Sequence, residues 1–208
     1  MIVIVDYGMG NLRSVQKGLA KAGFEAIISA DPEVVGGARG LVLPGVGAFG
    51  DAMTNLAEQG LDQAIRRFAG SGRPFLGICL GLQLMFESSE ENGWHAGLGL
   101  LQGRVVRLPE GLKIPHMGWN ALRQLRTEPV LAGIPEETYF YFVHSYYVQP
   151  TDPAVVAAVT DYGLEVPAVV SRDNLIGIQF HPEKSSAWGL RILKNFGELV
   201  GNAGYTRD

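Results

Sequence analysis

The chain has 208 residues, 47% of them apolar and 18% charged, a balance that can bury a core and is atypical of disordered proteins. Its net charge of −4 and the lack of a Lys/Arg cluster argue against nucleic acid as a partner. The single cysteine excludes an intrachain disulfide, and neither a signal peptide nor an apolar run of ~18 residues is present. We therefore expect one cytoplasmic domain over residues 1–208 and no membrane association.

The first half alternates short apolar runs with amphipathic stretches, a pattern typical of βαβ units. Ile2–Asp6 is predicted as the first strand, and Asn11–Ala22 as a crossover helix that ends at Gly23. The pattern predicts a doubly wound, mostly parallel α/β sheet. Further buried strands are predicted at Phe24–Ile28, Leu41–Leu43 and Phe75–Ile78, and a further helix at Gly60–Ala69.

The second half is rich in β-branched and aromatic runs separated by short turns, which favours antiparallel pairs. Arg172-Asp173-Asn174 lies between two apolar runs and is a hairpin signal, and the second run ends at His181. A last helix is predicted from Ser186 to Val200. The predicted strands are Val105–Leu108, Tyr139–Val148, Val155–Val159, Val166–Ser171 and Leu175–Phe180.

Cys79 lies directly after a predicted buried strand and before a helix, flanked by Gly77 and Gly81. This G-x-C-x-G arrangement is the pattern of a nucleophile elbow, whose sharp strand-to-helix turn requires small residues on either side. A helix N-terminus also favours a thiolate over a thiol. A lone cysteine is more often a small core residue, but the spaced glycines at this junction favour a nucleophile.

A cysteine nucleophile needs a base that takes up the thiol proton and later returns a proton to the leaving group. His181 follows the apolar run LIGIQF and precedes Pro182 and Glu183. Residues two apart in an extended segment point the same way, so Glu183 can reach the imidazole. The sequence therefore predicts a catalytic triad of Cys79, His181 and Glu183.

The other three histidines compete for the role of base. His144 lies inside the apolar run FYFVHSYYV without a nearby carboxylate in sequence, so a hydrogen-bonded histidine in the core or at a surface is expected. His95 and His116 are predicted to lie in loops. The histidines and the cysteine show no metal-ligand spacing, so we expect neither a metal nor a cofactor.

The glycine-rich run from Pro44 to Gly50 matches G-x-G-x-x-G, a fingerprint of dinucleotide binding. That fingerprint belongs after the first strand, with an acidic residue ~20 positions on, whereas this distance leads here to Arg66 and Arg67. We predict instead that the loop presents backbone N–H groups to a developing oxyanion. The predicted oxyanion hole comprises Gly45, Val46, Gly47 and Leu80.

The elbow GICLGLQ, the loop PGVG and the later HPEKS occur in that order, and with them the chain resembles the class I (triad) glutamine amidotransferases. The segments DYGMGNLRSV, PGVGAFGDAM and PHMGWN narrow the resemblance to the glutaminase subunits of imidazole glycerol phosphate synthases. The resemblance covers Asp6 to Ser185 and departs at Gln102, where proline is expected. It implies a flavodoxin-like α/β fold with additional antiparallel strands.

The resemblance also implies the chemistry. Glutamine forms a thioester on Cys79, ammonia is released, and water then frees glutamate. The ammonia passes to a cyclase subunit with a (β/α)₈ barrel, bound as a heterodimer, which makes imidazole glycerol phosphate and aminoimidazole carboxamide ribonucleotide in histidine biosynthesis. The residues implied to bind glutamine are Gln83, Ser145 and Tyr146, and those implied to face the partner are Asn11, Trp119, Tyr141 and Lys184.

Three alternatives stay open on the sequence. The chain could be another glutaminase of the same class, serving pyridoxal phosphate or nucleotide synthesis, although PHMGWN and DYGMGNLRSV argue against this. It could be a cysteine peptidase or a flavodoxin-like stress protein with an elbow cysteine. It could also be a binding subunit that has kept the fold without the chemistry, which the intact triad argues against.

Overall fold

The computed structural model describes residues 1–203. Within them, none of the helices combines the length and the apolar character that crossing a membrane requires. The strands are β1 Ile2–Val5, β2 Ala26–Ser29, β3 Gly40–Gly45, β4 Phe75–Cys79, β5 Phe86–Ser89, β6 His95–Ala96, β7 Leu101–Arg107, β8 His116–Gln124, β9 Thr138–His144, β10 Tyr146–Pro150, β11 Val156–Asp161, β12 Glu165–Arg172 and β13 Leu175–Ile178. The helices are α1 Leu12–Lys21, α2 Pro32–Gly36, α3 Phe49–Glu58, α4 Leu61–Ala69, α5 Leu80–Leu84 and α6 Ser186–Asn202, with 3₁₀ turns at Pro129–Leu131, Pro153–Val155 and Pro182–Lys184.

A nine-stranded mixed sheet in the order β2-β1-β3-β4-β13-β12-β11-β8-β9 forms the centre of the molecule. The first five strands in this order are parallel, and their arrangement is that of flavodoxin-like sheets. The predicted doubly wound class is therefore confirmed. The carboxyl ends of β3, β4 and β13 lie side by side, which is where ligands bind in open sheets of this kind.

The two faces of the sheet bury separate apolar clusters, because alternate side chains of each strand point to opposite faces. Val3 and Leu41 pack with residues of α3 and α4. Ile4 and Val42 pack on the other face with α1 and α6. The parallel part of the sheet is thus covered by helices on both faces.

The antiparallel half of the large sheet begins with the predicted hairpin. Arg172 pairs with Leu175, leaving Asp173 and Asn174 as a two-residue turn, and Asp173 takes a positive φ of 55°, as tight hairpin turns require. A second sheet, in the order β10-β7-β5-β6, packs beside the first. The prediction of antiparallel pairs in the second half is confirmed.

Two predicted strands differ from those observed. The strand predicted as buried at Phe24–Ile28 is the edge strand β2, which begins at Ala26 and leaves Ile27 37% exposed. The run predicted as one strand at Tyr139–Val148 divides at Ser145 into β9 and β10, which belong to different sheets. An unbroken apolar run gives no signal for such a transfer, because both strands are rich in aromatic residues.

Helix α6 packs closely against the turn at Pro182–Lys184 through Gly189, where an added Cβ would collide with the carbonyl group of Pro182. The same helix holds Gly201, where an added Cβ would meet no atom within 4 Å. Alanine at Gly189 would therefore change both close packing and helix propensity, whereas alanine at Gly201 would change helix propensity alone.

We predict that Gly189→Ala lowers the free energy of unfolding by about 1–3 kcal/mol, because a backbone carbonyl cannot move aside as a flexible side chain can. Gly201→Ala, the matched control, should leave it unchanged or raise it by up to about 1 kcal/mol. Urea unfolding of the two variants measures both values. Equal effects at the two positions would show that α6 does not approach the turn as described.

Candidate active site

Cys79 lies at the sharp turn between β4 and α5, with φ 53° and ψ −107°. An added Cβ at Gly81 would collide with the Leu43 carbonyl, and one at Gly77 would collide with the Gly81 carbonyl and the Met85 sulfur. Both glycines are thus required by close backbone approach. The positive φ of a non-glycine residue, with glycines two positions away on either side, is the geometry of a nucleophile elbow.

His181 and Glu183 form a buried pair at the end of β13. The Nδ1 atom of His181 lies 2.9 Å from Oε1 of Glu183, and both side chains are 2% exposed. Within the described residues, Nε2 of His181 has no hydrogen-bond partner by geometry. Both His181 and Cys79 line one cavity, so this nitrogen is the ring atom left available to the sulfur and to a substrate.

The charge state of His181 follows from its neighbours. Burial alone would lower its pKa, but interactions with the nearby Cys79 sulfur and the Glu183 carboxylate outweigh burial and raise the pKa to about 9. His181 is therefore mainly an imidazolium at neutral pH. Its positive charge stabilises negative charge on the Cys79 sulfur, as in other Cys-His pairs.

Two further groups contact the sulfur. The Val143 carbonyl oxygen lies 3.8 Å from Sγ and accepts from the thiol, whereas the Gln179 amide nitrogen lies 3.7 Å from Sγ and donates to it. Gln179 was not among the predicted site residues. Its position two residues before His181 was the available signal, since both then point to the same side of the chain.

The glycine-rich loop lies beside Cys79. Gly45 is in parallel register with Cys79, and Val46, Gly47 and Leu80 line the same cavity as the sulfur. Gly47 has a positive φ of 104°, which a β-branched residue would adopt only under strain. Gly45 is required for a different reason, because an added Cβ would collide with the Tyr7 hydroxyl.

The helix that follows this loop is not free to bind a phosphate. The N–H group of Phe49, the first residue of α3, donates to Oε2 of Glu91 at 2.8 Å. A carboxylate at this position satisfies the helix N-terminus and would repel a pyrophosphate. The geometry thus agrees with the prediction that the match to G-x-G-x-x-G has no part in dinucleotide binding.

The cavity beside Cys79 has a volume of about 260 Å³. All three residues that were expected to bind substrate, Gln83, Ser145 and Tyr146, line it. Glu91 also lines it and was missed by the sequence analysis, because it comes from a turn distant in sequence. The remaining lining residues are Val46, Gly47, Cys79, Leu80, Val143, His144 and His181.

Two of the three histidines that competed for the role of base, His116 and His144, form a separate pair. His116 Nδ1 lies 2.9 Å from His144 Nε2, and His144 Nδ1 lies 2.9 Å from the Tyr146 carbonyl oxygen, which can only accept. Burial lowers the pKa of His144 to about 3 and that of His116 to about 4. His144 is the hydrogen-bonded core histidine that was expected, whereas His116 lies in β8 rather than in a loop, and His95 lies in β6.

Three of the four residues expected at the partner surface lie together. Trp119, 51% exposed, packs against Tyr141 with ring centroids 6.1 Å apart, and Nζ of Lys184 lies 5.8 Å from the Tyr141 ring centroid. Asn11 directly precedes α1, which packs against the turn holding Lys184.

The backbone of Tyr141 is hydrogen-bonded to His181 and Ser185, which lie on either side of the 3₁₀ turn at Pro182–Lys184. The N–H of His181 donates to the Tyr141 carbonyl oxygen at 2.9 Å, and the N–H of Tyr141 donates to the Ser185 hydroxyl at 3.0 Å. Ser185 in turn donates to the His181 carbonyl oxygen at 2.6 Å. Strand β9 and the backbone of His181 are therefore joined by hydrogen bonds.

Among residues 1–203, no group of three or more His, Cys, Asp or Glu side chains is arranged to hold a metal ion. The functional groups available at this site are the sulfur of Cys79, the imidazole of His181 and the carboxylate of Glu183, beside backbone N–H groups. Such a set supports acyl transfer through a covalent thioester.

Solved structures of low sequence identity share the fold. A crystal structure of a glutamine amidotransferase aligns with a TM-score of 0.76 and 22% identity, covering 97% of this chain and 100% of the other. The structure of PurLQS from Thermotoga maritima aligns with a TM-score of 0.76 and 21% identity, covering 99% and 98%. At such identities the likeness concerns the fold alone.

Sequence comparisons agree with the site and go further. The profile of the family described as "Glutamine amidotransferase class-I" matches residues 3–199. The imidazole glycerol phosphate synthase subunit HisH of Desulfitobacterium hafniense is 58% identical over 200 residues, covering 96% of this chain and 95% of its own. The HisH subunit of Moorella thermoacetica is 58% identical over 207 residues, covering 98% and 99%. The chain therefore belongs to the class I glutamine amidotransferases and, within them, to the HisH subunits of imidazole glycerol phosphate synthase.

Proposed function

We propose that the chain hydrolyses glutamine to glutamate and ammonia through a thioester on Cys79, with His181 and Glu183 completing the triad. The observation that carries the proposal is the buried Cys79, His181 and Glu183 arrangement at one end of a cavity large enough for a free amino acid. Membership of the family explains why glutamine, rather than a peptide, is the substrate.

The first half of the reaction forms the thioester. The Cys79 thiolate attacks the side-chain amide carbon, and the carbonyl oxygen becomes an oxyanion. Backbone N–H groups of Val46, Gly47 and Leu80 are the proposed donors to that oxyanion. As the C–N bond breaks, His181 gives its proton to the leaving nitrogen, which departs as ammonia.

The second half releases glutamate. Neutral His181 takes a proton from water, the hydroxide attacks the thioester carbon, and collapse of the intermediate expels the Cys79 thiolate. The imidazolium and thiolate are thereby restored, and glutamate loses its proton to solvent. Glu183 orients the ring through Nδ1 and stabilises the imidazolium in both halves.

The groups around the cavity fit the two ends of glutamine. Glu91 supplies a negative charge that suits the α-ammonium group, and the backbone at Ser145 and Tyr146 is the proposed site for the α-carboxylate. Gln83 is held in place by a 2.9 Å hydrogen bond from its amide nitrogen to the Tyr146 carbonyl oxygen. These assignments place the reacting amide at the Cys79 end of the cavity.

The relatives' names describe one subunit of imidazole glycerol phosphate synthase, and we propose that this chain likewise passes ammonia to a cyclase partner with a (β/α)₈ barrel. We propose a heterodimer in the cytoplasm, acting in histidine biosynthesis, with residues 1–208 forming one glutamine amidotransferase domain. The exposed cluster of Trp119, Tyr141 and Lys184, with Asn11, is the proposed contact surface.

Replacing the nucleophile should abolish glutamine hydrolysis while leaving ammonia use intact. Cys79→Ala, assayed in complex with the cyclase, is expected to release no ammonia from glutamine, yet to support synthesis from added ammonium salt, because the cyclase requires only ammonia. In the unmodified chain, a diazo-ketone analogue of glutamine should alkylate Cys79, as mass spectrometry would show. Glutamine turnover by Cys79→Ala at the rate of the unmodified chain would refute the triad assignment.

The fall of kcat/KM for glutamine at alkaline pH should follow the deprotonation of His181. Its pKa is raised from 6.5 to about 9, so the imidazolium persists below about pH 9. The stability that its pairing contributes is complete below the ordinary pKa of 6.5 and is lost as pH rises from there through about 9. We expect kcat/KM for glutamine to fall by about tenfold per pH unit above pH 9. Glu183→Gln should move this fall to lower pH because it removes one cause of the raised pKa.

His181→Asn should cost more than Glu183→Gln, about 10²–10⁴ in kcat, since it removes proton transfer rather than orientation. His144→Asn, at the neighbouring buried histidine, is the control and should cost less than His181→Asn. If His144→Asn lost more thioester formation than His181→Asn, the identification of His181 as the base would be wrong.

Activity should depend on the partner, because β9 connects the exposed cluster to the backbone of His181. We expect glutamine turnover to be low for the chain alone, higher with the cyclase, and highest when the cyclase holds its nucleotide ligand. The expected stimulation is roughly 10²–10³-fold, which corresponds to a gain of about 3–4 kcal/mol in stabilisation of the oxyanion.

Lys184→Ala and Trp119→Ala should reduce this stimulation. Lys194→Ala is the matched control, because Lys194 is an exposed lysine paired with Glu198 on the outer side of α6. Equal turnover in all three states would contradict the coupling, and full stimulation of both interface variants would place the contact surface elsewhere.

A further inference from the structure

Gln179 is a fully buried amide, 0% exposed, with no role in the triad. Its nitrogen lies 3.7 Å from Sγ of Cys79, and its oxygen accepts from the amide nitrogen of Gln83 at 3.3 Å. A buried amide is costly unless it is hydrogen-bonded at both ends. Here one of those ends contacts the reacting atom.

The direction of these hydrogen bonds is fixed by a backbone carbonyl. The Tyr146 carbonyl oxygen can only accept, so Gln83 must present its NH₂ group there, at 2.9 Å. The second hydrogen of that NH₂ group points to Gln179, which must then present its oxygen to Gln83. The NH₂ group of Gln179 is consequently the end that faces Cys79.

His144 reinforces the same arrangement, because its Nδ1–H also donates to the Tyr146 carbonyl oxygen at 2.9 Å. These two hydrogen bonds hold the Tyr146 carbonyl in its orientation. The sulfur thus has a fixed N–H donor on one side and the Val143 carbonyl on another. The carbonyl favours a thiol, which can donate to it, whereas the N–H favours a thiolate.

We propose that Gln179 is a further catalytic residue, which donates a hydrogen bond to the Cys79 thiolate, and that Gln83 is the positioning residue that sets the direction of that donation. This inference rests on the proposed function for its role in catalysis. It concerns the resting nucleophile, however, and is testable without glutamine. Thioester collapse returns negative charge to the same sulfur, so the donor acts in both halves of the reaction.

The test is the pH dependence of alkylation of the full chain, in complex with the cyclase, by iodoacetamide. Cys79 is the only cysteine in the sequence, so mass spectrometry of this chain reports the state of that sulfur alone. Gln179→Met, which fills the space without a donor, should move the midpoint of alkylation up by about one to two pH units. Gln179→Glu keeps the acceptor for Gln83 and should move the midpoint at least as far.

Gln83→Met should move the midpoint in the same direction by a smaller amount, because the Gln179 amide is then free to turn over. Asn195→Leu is the control: Asn195 is a buried amide that donates to the Val130 and Ala132 carbonyl oxygens, away from the site. It should lower the melting temperature without moving the midpoint.

A midpoint unchanged in both Gln179 variants, or moved equally by Asn195→Leu, would overturn the inference. Glutamine turnover in the unmodified complex separates this result from failure of the proposed function. Turnover with an unmoved midpoint refutes only the role of Gln179. A moved midpoint without turnover supports the hydrogen bond and refutes the glutaminase assignment.

Discussion

The backbone at Cys79 is the constraint on which the site depends. A non-glycine residue with φ 53° costs roughly 1–3 kcal/mol, and the fold maintains it by packing α5 against the Leu43 carbonyl, with Gly81 at the contact. Because the sulfur stands at the carboxyl end of β4, its partners come from the ends of the adjacent strands. Gly45 ends β3 on one side, and His181 follows β13 on the other.

Ser145 and Tyr146 line the cavity at the point where the chain leaves the large sheet and enters the small one. Strand β9 ends at His144 in the large sheet, and β10 begins at Tyr146 in the small one. At this junction the Ser145 carbonyl oxygen accepts from the N–H of Leu108, and the Tyr146 carbonyl oxygen accepts from the side chains of Gln83 and His144. The backbone that lines this side of the cavity is thus hydrogen-bonded although it lies at the ends of two strands.

The sequence was informative where chemistry depends on local spacing. The elbow glycines and the βαβ pattern each act within a few residues, and the structure agrees with both. Glu183 contacts His181 as predicted, but Pro182–Lys184 forms a 3₁₀ turn rather than the extended segment on which that prediction was based. Contacts between distant segments had no such signal: Glu91 reaches α3 from another turn, and the pairing of His116 with His144 requires the register of β8 and β9. The division at Ser145 was missed because hydrophobicity does not change there.

Strand β9 is the last strand of the large sheet, and such edges invite pairing with strands of other molecules. At Tyr141 the outward-facing N–H and carbonyl groups are already bonded to Ser185 and His181. The turn that contains His181 thereby lies against the middle of this edge, where these two backbone groups are not available to a foreign strand. The turn that contains the proposed general base therefore also blocks part of a sheet edge, so backbone changes around His181 bear on edge pairing as well as on the proposed chemistry.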